Sequence, residues 1–239
     1  MDKFLSDKVA MVTGGTRGIG RAIAERLLSE GASVAFCGRS AEAVARATRE
    51  MARSTGGNVF GATADVSKPA DVRRFFQAVD NRFGGLHVLI NNAGLGIFRR
   101  MGELSLDEWQ SMIDVNLSAV FYCCREALQR FNNGRGGYII NISSLAGKNA
   151  FSGGTGYNAS KFGLNGFSEA LMLDYRYENV RVSYIMPGSV DTEFGSGAGA
   201  SADWKIAPAD VADVVVGLLR MPERTLVSRI EMRPLKPRK

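Results

Sequence analysis

The run Lys8-Val9-Ala10-Met11-Val12-Thr13 passes directly into Gly14-Gly15-Thr16-Arg17-Gly18-Ile19-Gly20. This junction constrains the fold more than any other stretch. Its first six residues read as a short buried strand. Beyond the glycines, Ile19, Ile23, Leu27 and Leu28 recur at three-to-four spacing until Gly31, the period of an amphipathic helix. A strand that turns through glycine into a helix is the first half of a dinucleotide-binding unit. Glycine lets the backbone turn sharply and approach a pyrophosphate, whose charge then lies at the helix N-terminus. The spacing T-G-x-x-x-G-x-G, through Gly14, Gly18 and Gly20, differs from the commoner G-x-G-x-x-G.

The same alternation continues along the chain. Strand-like runs recur at 33–37, 58–62, 87–91, 137–142 and 180–186, with helical patterns near 41–54, 69–83, 105–131, 157–178 and 208–220. Strands separated by helices predict an α/β fold: a Rossmann-like, doubly wound parallel sheet of about seven strands, covered on both faces. No linker or repeat interrupts it, and 239 residues with 45% hydrophobic content suffice for one domain over 1–239. The stretch Gly195-Ser196-Gly197-Ala198-Gly199-Ala200-Ser201 is too short to join domains and reads as a mobile loop within a lid at about 193–207.

Composition excludes several functions. No apolar run approaches a membrane span, and the first residues lack a signal-peptide core, so a soluble cytoplasmic protein is expected. Cys37, Cys123 and Cys124 have neither metal-ligand spacing nor a disulfide pattern, and no metal is expected. His87 is the sole histidine and falls at the start of its strand, away from any nucleophile, which argues against a Ser-His-acid hydrolase. The net charge of +6 gathers late, at Arg220, Arg224, Arg229, Arg233, Lys236, Arg238 and Lys239. Without a nucleic-acid-binding motif, that cluster reads as solubilising surface.

Tyr157 and Lys161 stand four apart on one helical stretch, and Ser144 precedes them at the end of a strand. Side chains at this spacing share a helix face. A tyrosine of ordinary pKa about 10 needs a shift of roughly three units, or about 4 kcal/mol, to act near neutrality. An ammonium about 4 Å away at an effective dielectric of about 20 supplies roughly that much. The spacing suits proton transfer at a carbonyl or alcohol oxygen, although Y-x-x-x-K alone is common on solvated helices.

Together these motifs resemble the short-chain dehydrogenase/reductase family. The resemblance runs through Asp65-Val66, Asn91-Asn92-Ala93-Gly94, Asn116, Ser144, Tyr157, Lys161 and Pro187-Gly188-Ser189-Val190-Asp191-Thr192, nearly the whole chain in the family's order. It implies Tyr157 as general acid or base, Lys161 lowering the phenol pKa and holding the nicotinamide ribose, and Ser144 fixing the substrate oxygen. It implies that Asn116 holds a water linking Lys161 to solvent. Gly14, Thr16, Arg17, Gly18, Ile19 and Gly20 would cradle the pyrophosphate. Asn92, Ala93, Gly94, Pro187, Gly188, Val190 and Thr192 would border the rest of the cofactor, with Asp65 at the adenine and Val66 beside it. On its residues alone, Asp65 serves equally well as a cap for the next turn.

Cofactors without a 2′-phosphate are usually held by an acid at the end of the second strand. Here Gly38 takes that place, followed by Arg39 and Ser40, and Arg17 adds a second cation. Guanidinium groups bind phosphate with charge and forked hydrogen bonds, so NADP(H) is expected. Leu95, Ile97, Phe98, Leu145, Phe151 and the segment from Phe194 to Trp204 are expected to wall a small carbonyl or alcohol substrate. The ending Arg229-Ile230-Glu231-Met232-Arg233-Pro234 resembles the subgroup acting on small 3-hydroxy acids rather than the glycine-rich ending of ketoacyl-carrier-protein reductases. Reduction of a 3-oxoacyl thioester and a non-catalytic NADP(H)-binding sensor are the alternatives. Apolar residues beyond one face on the 105–131 and 157–178 helices, with the family's usual tetramer, suggest a homotetramer or dimer.

Overall fold

A computed structural model describes residues 3–131, 136–194 and 203–237. The expected loop 195–201 and the terminal Arg238 and Lys239 lie outside the described residues. The chain forms β1 (Val9–Thr13), α1 (Gly18–Ser29), β2 (Ser33–Gly38), α2 (Ala41–Thr55), β3 (Val59–Thr63), α3 (Pro69–Phe83) and β4 (Val88–Asn91). It continues through α4 (Leu106–Ile113), α5 (Ala119–Phe131), β5 (Gly137–Ile142), α6 (Thr155–Tyr175), β6 (Val180–Pro187), α7 (Pro208–Arg220) and β7 (Arg229–Met232).

The seven strands form one parallel sheet in the order β3-β2-β1-β4-β5-β6-β7. The chain builds outward from β1 to one side, then returns to place β4 on the other. Where the strand order reverses, a crevice opens beyond the strands' C-terminal ends, and ligands of such sheets bind there.

Strand alternation explains the two-sided core. Ala10 and Val12 face a cluster with Ile23, Leu27, Val44, Met51 and Val215, from α1, α2 and α7. Val9 and Met11 face the other cluster with Phe75, Phe76, Val120, Leu128 and Leu164, from α3, α5 and α6. Sheet residues in both clusters are almost fully buried, which accounts for their unbroken apolar runs.

The expected single helix over 105–131 is instead interrupted. Between α4 and α5, Asp114–Ser118 form a π turn, with Ala119 N–H bonded to the Asp114 carbonyl. Ser105 and Glu108 form a reciprocal capping box that starts α4. His87 has a structural role: its Nδ1 accepts from Val9 N–H at 3.0 Å.

Three of the late cations sit in surface ion pairs: Arg220 with Glu30, Arg229 with Glu169 and Arg233 with Glu231. Among the described residues, no helix is long and apolar enough to cross a membrane.

Candidate functional site

The glycine turn is stitched to the end of β4. Thr13 Oγ1 accepts from both Asn92 N–H and Ala93 N–H at 3.0 Å. Asn92 Nδ2 returns donors to the carbonyls of Thr13 at 2.9 Å and Gly14 at 3.2 Å. Gly14 and Gly18 have φ of +68° and +56°, a region that favours glycine. A Cβ on Gly20 would lie 2.3 Å from Asn92 Nδ2 and 2.4 Å from the Gly14 carbonyl, so the turn admits no side chain there. The first turn of α1 has neither a side-chain cap nor an acidic residue. Its N–H groups and positive dipole end face the cleft and fit an anion.

The ribose end is less uniform. Arg39 is exposed and lines the cleft, whereas Ser40 does not line it and instead caps α2 through Ala43 N–H at 3.2 Å. Arg17 lines the cleft as well, and its Nη1 pairs with Glu193 at 2.6 Å. Both partners are largely exposed, so the pair holds Arg17 only weakly. Asp65 plays the turn-capping part, accepting from Ser67 N–H at 3.1 Å and Ser67 Oγ at 2.7 Å, while it also lines the cleft.

At the other end, α6 sets Tyr157 and Lys161 on one buried face, 8% and 4% exposed. Their electrostatics differ from the expectation. Burial pushes the phenol up to about 12, opposed by its hydrogen bond with Ser144. Burial draws Lys161 down to about 8. Lys161 Nζ lies 5.9 Å from the Tyr157 ring centroid and donates to the Ile142 carbonyl at 3.0 Å. Helical spacing brings the two groups together, but removing both from water outweighs their mutual influence.

The Asn116 side-chain amide has protein partners on both its atoms. It is buried inside the π turn, where Oδ1 accepts from Leu95 N–H at 2.8 Å. Nδ2 donates to the Leu95 carbonyl at 2.8 Å and to Ser160 Oγ at 3.0 Å. The side-chain amide is thus committed to holding the Gly94-Leu95 turn against α6.

Sequence reasoning missed the groups that support Ser144. Asn158 Nδ2 donates to the carbonyls of Ala146 at 2.6 Å and Asn149 at 3.2 Å. Asn165 binds the Ser143 hydroxyl and donates to the Gly147 carbonyl at 3.0 Å. A signal existed: Asn158, Lys161, Asn165 and Ser168 recur at three-to-four spacing and are all buried. A polar stripe on an otherwise buried helix face requires buried partners.

These groups open into one cleft of about 1370 Å³. It is lined by Gly14, Thr16, Arg17, Gly18, Ile19, Gly20, Arg39, Asp65, Val66, Asn92, Ala93 and Gly94 on the turn side. Ser144, Tyr157, Lys161, Pro187, Gly188, Val190 and Thr192 line the remainder, whereas Ser40 and Asn116 do not line it. Leu95, Phe98, Leu145, Phe151 and Phe194 also line it; Ile97 packs in the small cluster around Met112 and Tyr157. The volume exceeds the roughly 300–1,000 Å³ of a pocket for one drug-sized ligand.

Comparison with known proteins agrees with this geometry. The family profile described as short chain dehydrogenase matches residues 8–202. An uncharacterized oxidoreductase of Staphylococcus aureus (strain MRSA252) is 33% identical over 231 residues, 97% of this chain and 99% of the relative. An alcohol dehydrogenase from the archaeon Thermococcus sibiricus, complexed with 5-hydroxy-NADP, superposes with a TM-score of 0.90 at 32% identity, covering 97% of this chain and 98% of that one. A metagenomic short-chain oxidoreductase in complex with NADP gives a TM-score of 0.85 at 37% identity, over 98% and 99% of the two chains.

The buried ammonium has a measurable consequence. Burial draws Lys161 down to about 8 in the folded chain, against the ordinary lysine value of about 10.5 when unfolded. Between these values the unfolded chain binds more protons, so this group's contribution to stability rises with pH across that window. Urea melts of wild type and Lys161→Met should show wild type gaining up to about 3 kcal/mol on the variant between pH 7 and pH 10.5. A constant gap would show that Lys161 carries no such penalty.

Proposed function

The chain belongs to the short-chain dehydrogenase family, and from that premise we propose that it is an NADP(H)-dependent oxidoreductase interconverting a carbonyl compound and an alcohol. The observation that carries this reading is the shared cleft, with an anion cradle at one end and Ser144, Tyr157 and Lys161 at the other. The cradle's positive-φ glycines and uncapped helix end suit a pyrophosphate. Arg39 and the absence of an acid at Gly38 favour a 2′-phosphate, as do the NADP-type ligands of two structural relatives.

A nicotinamide held in this cleft would supply the hydride. The chain's own groups manage the oxygen. Ser144 donates a hydrogen bond to the substrate oxygen and orients it. Tyr157 gives its phenolic proton to that oxygen as the carbon accepts hydride, so carbonyl, hydride and proton together make the alcohol. Positively charged Lys161 stabilises the phenolate left behind and holds the nicotinamide ribose with its remaining N–H donors. Asn116 acts one step removed, fixing the Gly94-Leu95 wall. The phenol's raised pKa makes Lys161's charge necessary in the step, since the ionised tyrosine is unfavourable in this buried setting.

The assembly is a homotetramer or dimer, supported by half-exposed Phe121 on α5 and Phe162 and Leu173 on α6. Light scattering should give a multiple of the 25.8 kDa chain; a monomer at working concentration would rule this out.

Two variants test the chemistry. With a panel of ketones and aldehydes followed at 340 nm, Tyr157→Phe should lose about 10²–10⁴-fold in kcat while keeping its affinity for NADPH. Tight NADPH binding by wild type without turnover of any carbonyl would overturn the enzyme reading in favour of a cofactor sensor. Arg39→Ala should weaken NADPH binding about tenfold or more with little effect on NADH, as expected for a lost charge-assisted contact. Equal weakening of both would place the 2′-phosphate elsewhere.

A further inference from the structure

Beyond the groups given a chemical role, the substrate end of the cleft is finished by aromatic rings. We infer that the substrate is an aryl-substituted carbonyl compound, its ring received by Phe98, Phe151 and Phe194 around Tyr157; the inference rests on the reductase reading above. The three phenylalanines come from separate segments, after β4, between Ser144 and α6, and after β6. Phe98 meets Tyr157 edge to face, with centroids 5.4 Å apart and planes at 85°. Phe151 meets Phe98 at 5.7 Å and 60°. Phe194 lies 5.8 Å from Tyr157 at 53°.

All three line the cleft, and each retains 43–46% of its exposure. They are half covered by Tyr157 and one another and half presented to the cleft. Single exposed aromatics are ordinary, but two rings against one buried phenol, with a third packed on one of them, form an apolar wall of the kind a ligand covers.

The backbone accommodates this convergence. A Cβ on Gly96 would lie 2.5 Å from Phe194 Cε1 and 3.1 Å from Phe98 Cζ. One on Gly154 would lie 2.8 Å from Phe151 Cζ. Phe98 and Phe194 reach Tyr157, and Phe151 reaches Phe98, with no side chain at either glycine in their way.

Such a wall discriminates. A substrate ring can meet the phenylalanines face or edge on, and aromatic pairs gain a quadrupole attraction beyond the area they bury. A saturated ring of similar size gains the area alone. A substrate carboxylate gains less, since cleft-lining cations already have carboxylate neighbours: Arg233 with Glu231, Lys205 with Asp191 and Arg17 with Glu193. Buried Lys161 is turned to the Ile142 carbonyl. The carbonyl oxygen would point to Ser144 and Tyr157, leaving the aryl group against the phenylalanines.

The test compares kcat/KM of the full chain with NADPH for acetophenone, cyclohexyl methyl ketone and 2-oxobutyrate. Acetophenone should lead cyclohexyl methyl ketone by about tenfold, the return of two aromatic contacts, and 2-oxobutyrate should be poorest. Phe98→Leu and, separately, Phe151→Leu should shrink the aryl-to-cyclohexyl ratio to about twofold or less. Their NADPH dissociation constants should stay within about twofold of wild type, reporting intact folding. A wild-type ratio near one, a ratio that survives both substitutions, or a preference for 2-oxobutyrate would overturn the inference while leaving the reductase reading in place. If NADPH binds but no carbonyl is reduced, the reductase reading fails and takes this inference with it.

Discussion

The site depends first on the stitch between Thr13 and Asn92. β1 and β4 are adjacent in the sheet but far apart in sequence, and the strand order reverses between them. Nothing local would hold the glycine turn over that gap. Thr13 Oγ1 accepts two backbone N–H groups while Asn92 returns two donors, joining the turn to the end of β4 with four hydrogen bonds. Each contributes about 1 kcal/mol net, and losing either side chain would strand polar partners that are partly buried. Gly20 then packs where no Cβ fits, so α1 starts at a set height above the sheet edge. Both halves of the cleft are measured from this junction.

From it the cleft divides into two chemical regions. One end is backbone and charge: positive-φ glycines, the open first turn of α1, and Arg39. The other sets Tyr157 and Lys161, both buried, beside half-exposed phenylalanines that line the cleft. Burial there moves both groups away from their charged forms, the phenol up and the ammonium down. In such surroundings a charge developing on the phenol depends strongly on the ammonium beside it. Below this layer, Asn91, Asn141 and Ser168 form a buried chain of hydrogen bonds from β4 through β5 to α6. That chain ties the two strands that deliver Asn92 and Ser144 to the helix that carries Tyr157.

Much of this was legible in the sequence, for a physical reason. Parallel strands covered on both faces appear as short apolar runs such as Val9–Thr13 and Gly137–Ile142, and the helices between them show their own period. Glycine spacing reported the turn because few other residues tolerate it. What stayed hidden depends on partners distant in sequence. The π turn at Asp114–Ser118 alters one turn of helix and leaves the apolar pattern almost unchanged. Asn116 was marked by its motif, yet its commitment to Leu95 and Ser160 appears only once those segments meet. Spacing put Lys161 beside Tyr157 but could not report that its ammonium turns to Ile142 or that desolvation dominates both groups. Likewise, two arginines suggested one phosphate site, while the pairing of Arg17 with Glu193, brought in from beyond β6, appears only in the fold.

The central claim is that the cleft moves hydride between a nicotinamide and a carbonyl carbon, with the proton supplied from the protein side. Mass spectrometry of the alcohol formed from NADPH deuterated at its transferring position tests this most directly. The account predicts one deuterium bound to the carbinol carbon, and no carbon-bound deuterium when unlabelled NADPH is used in heavy water. An alcohol that takes its carbon-bound label from the solvent, or a cofactor that keeps its deuterium through turnover, would contradict it.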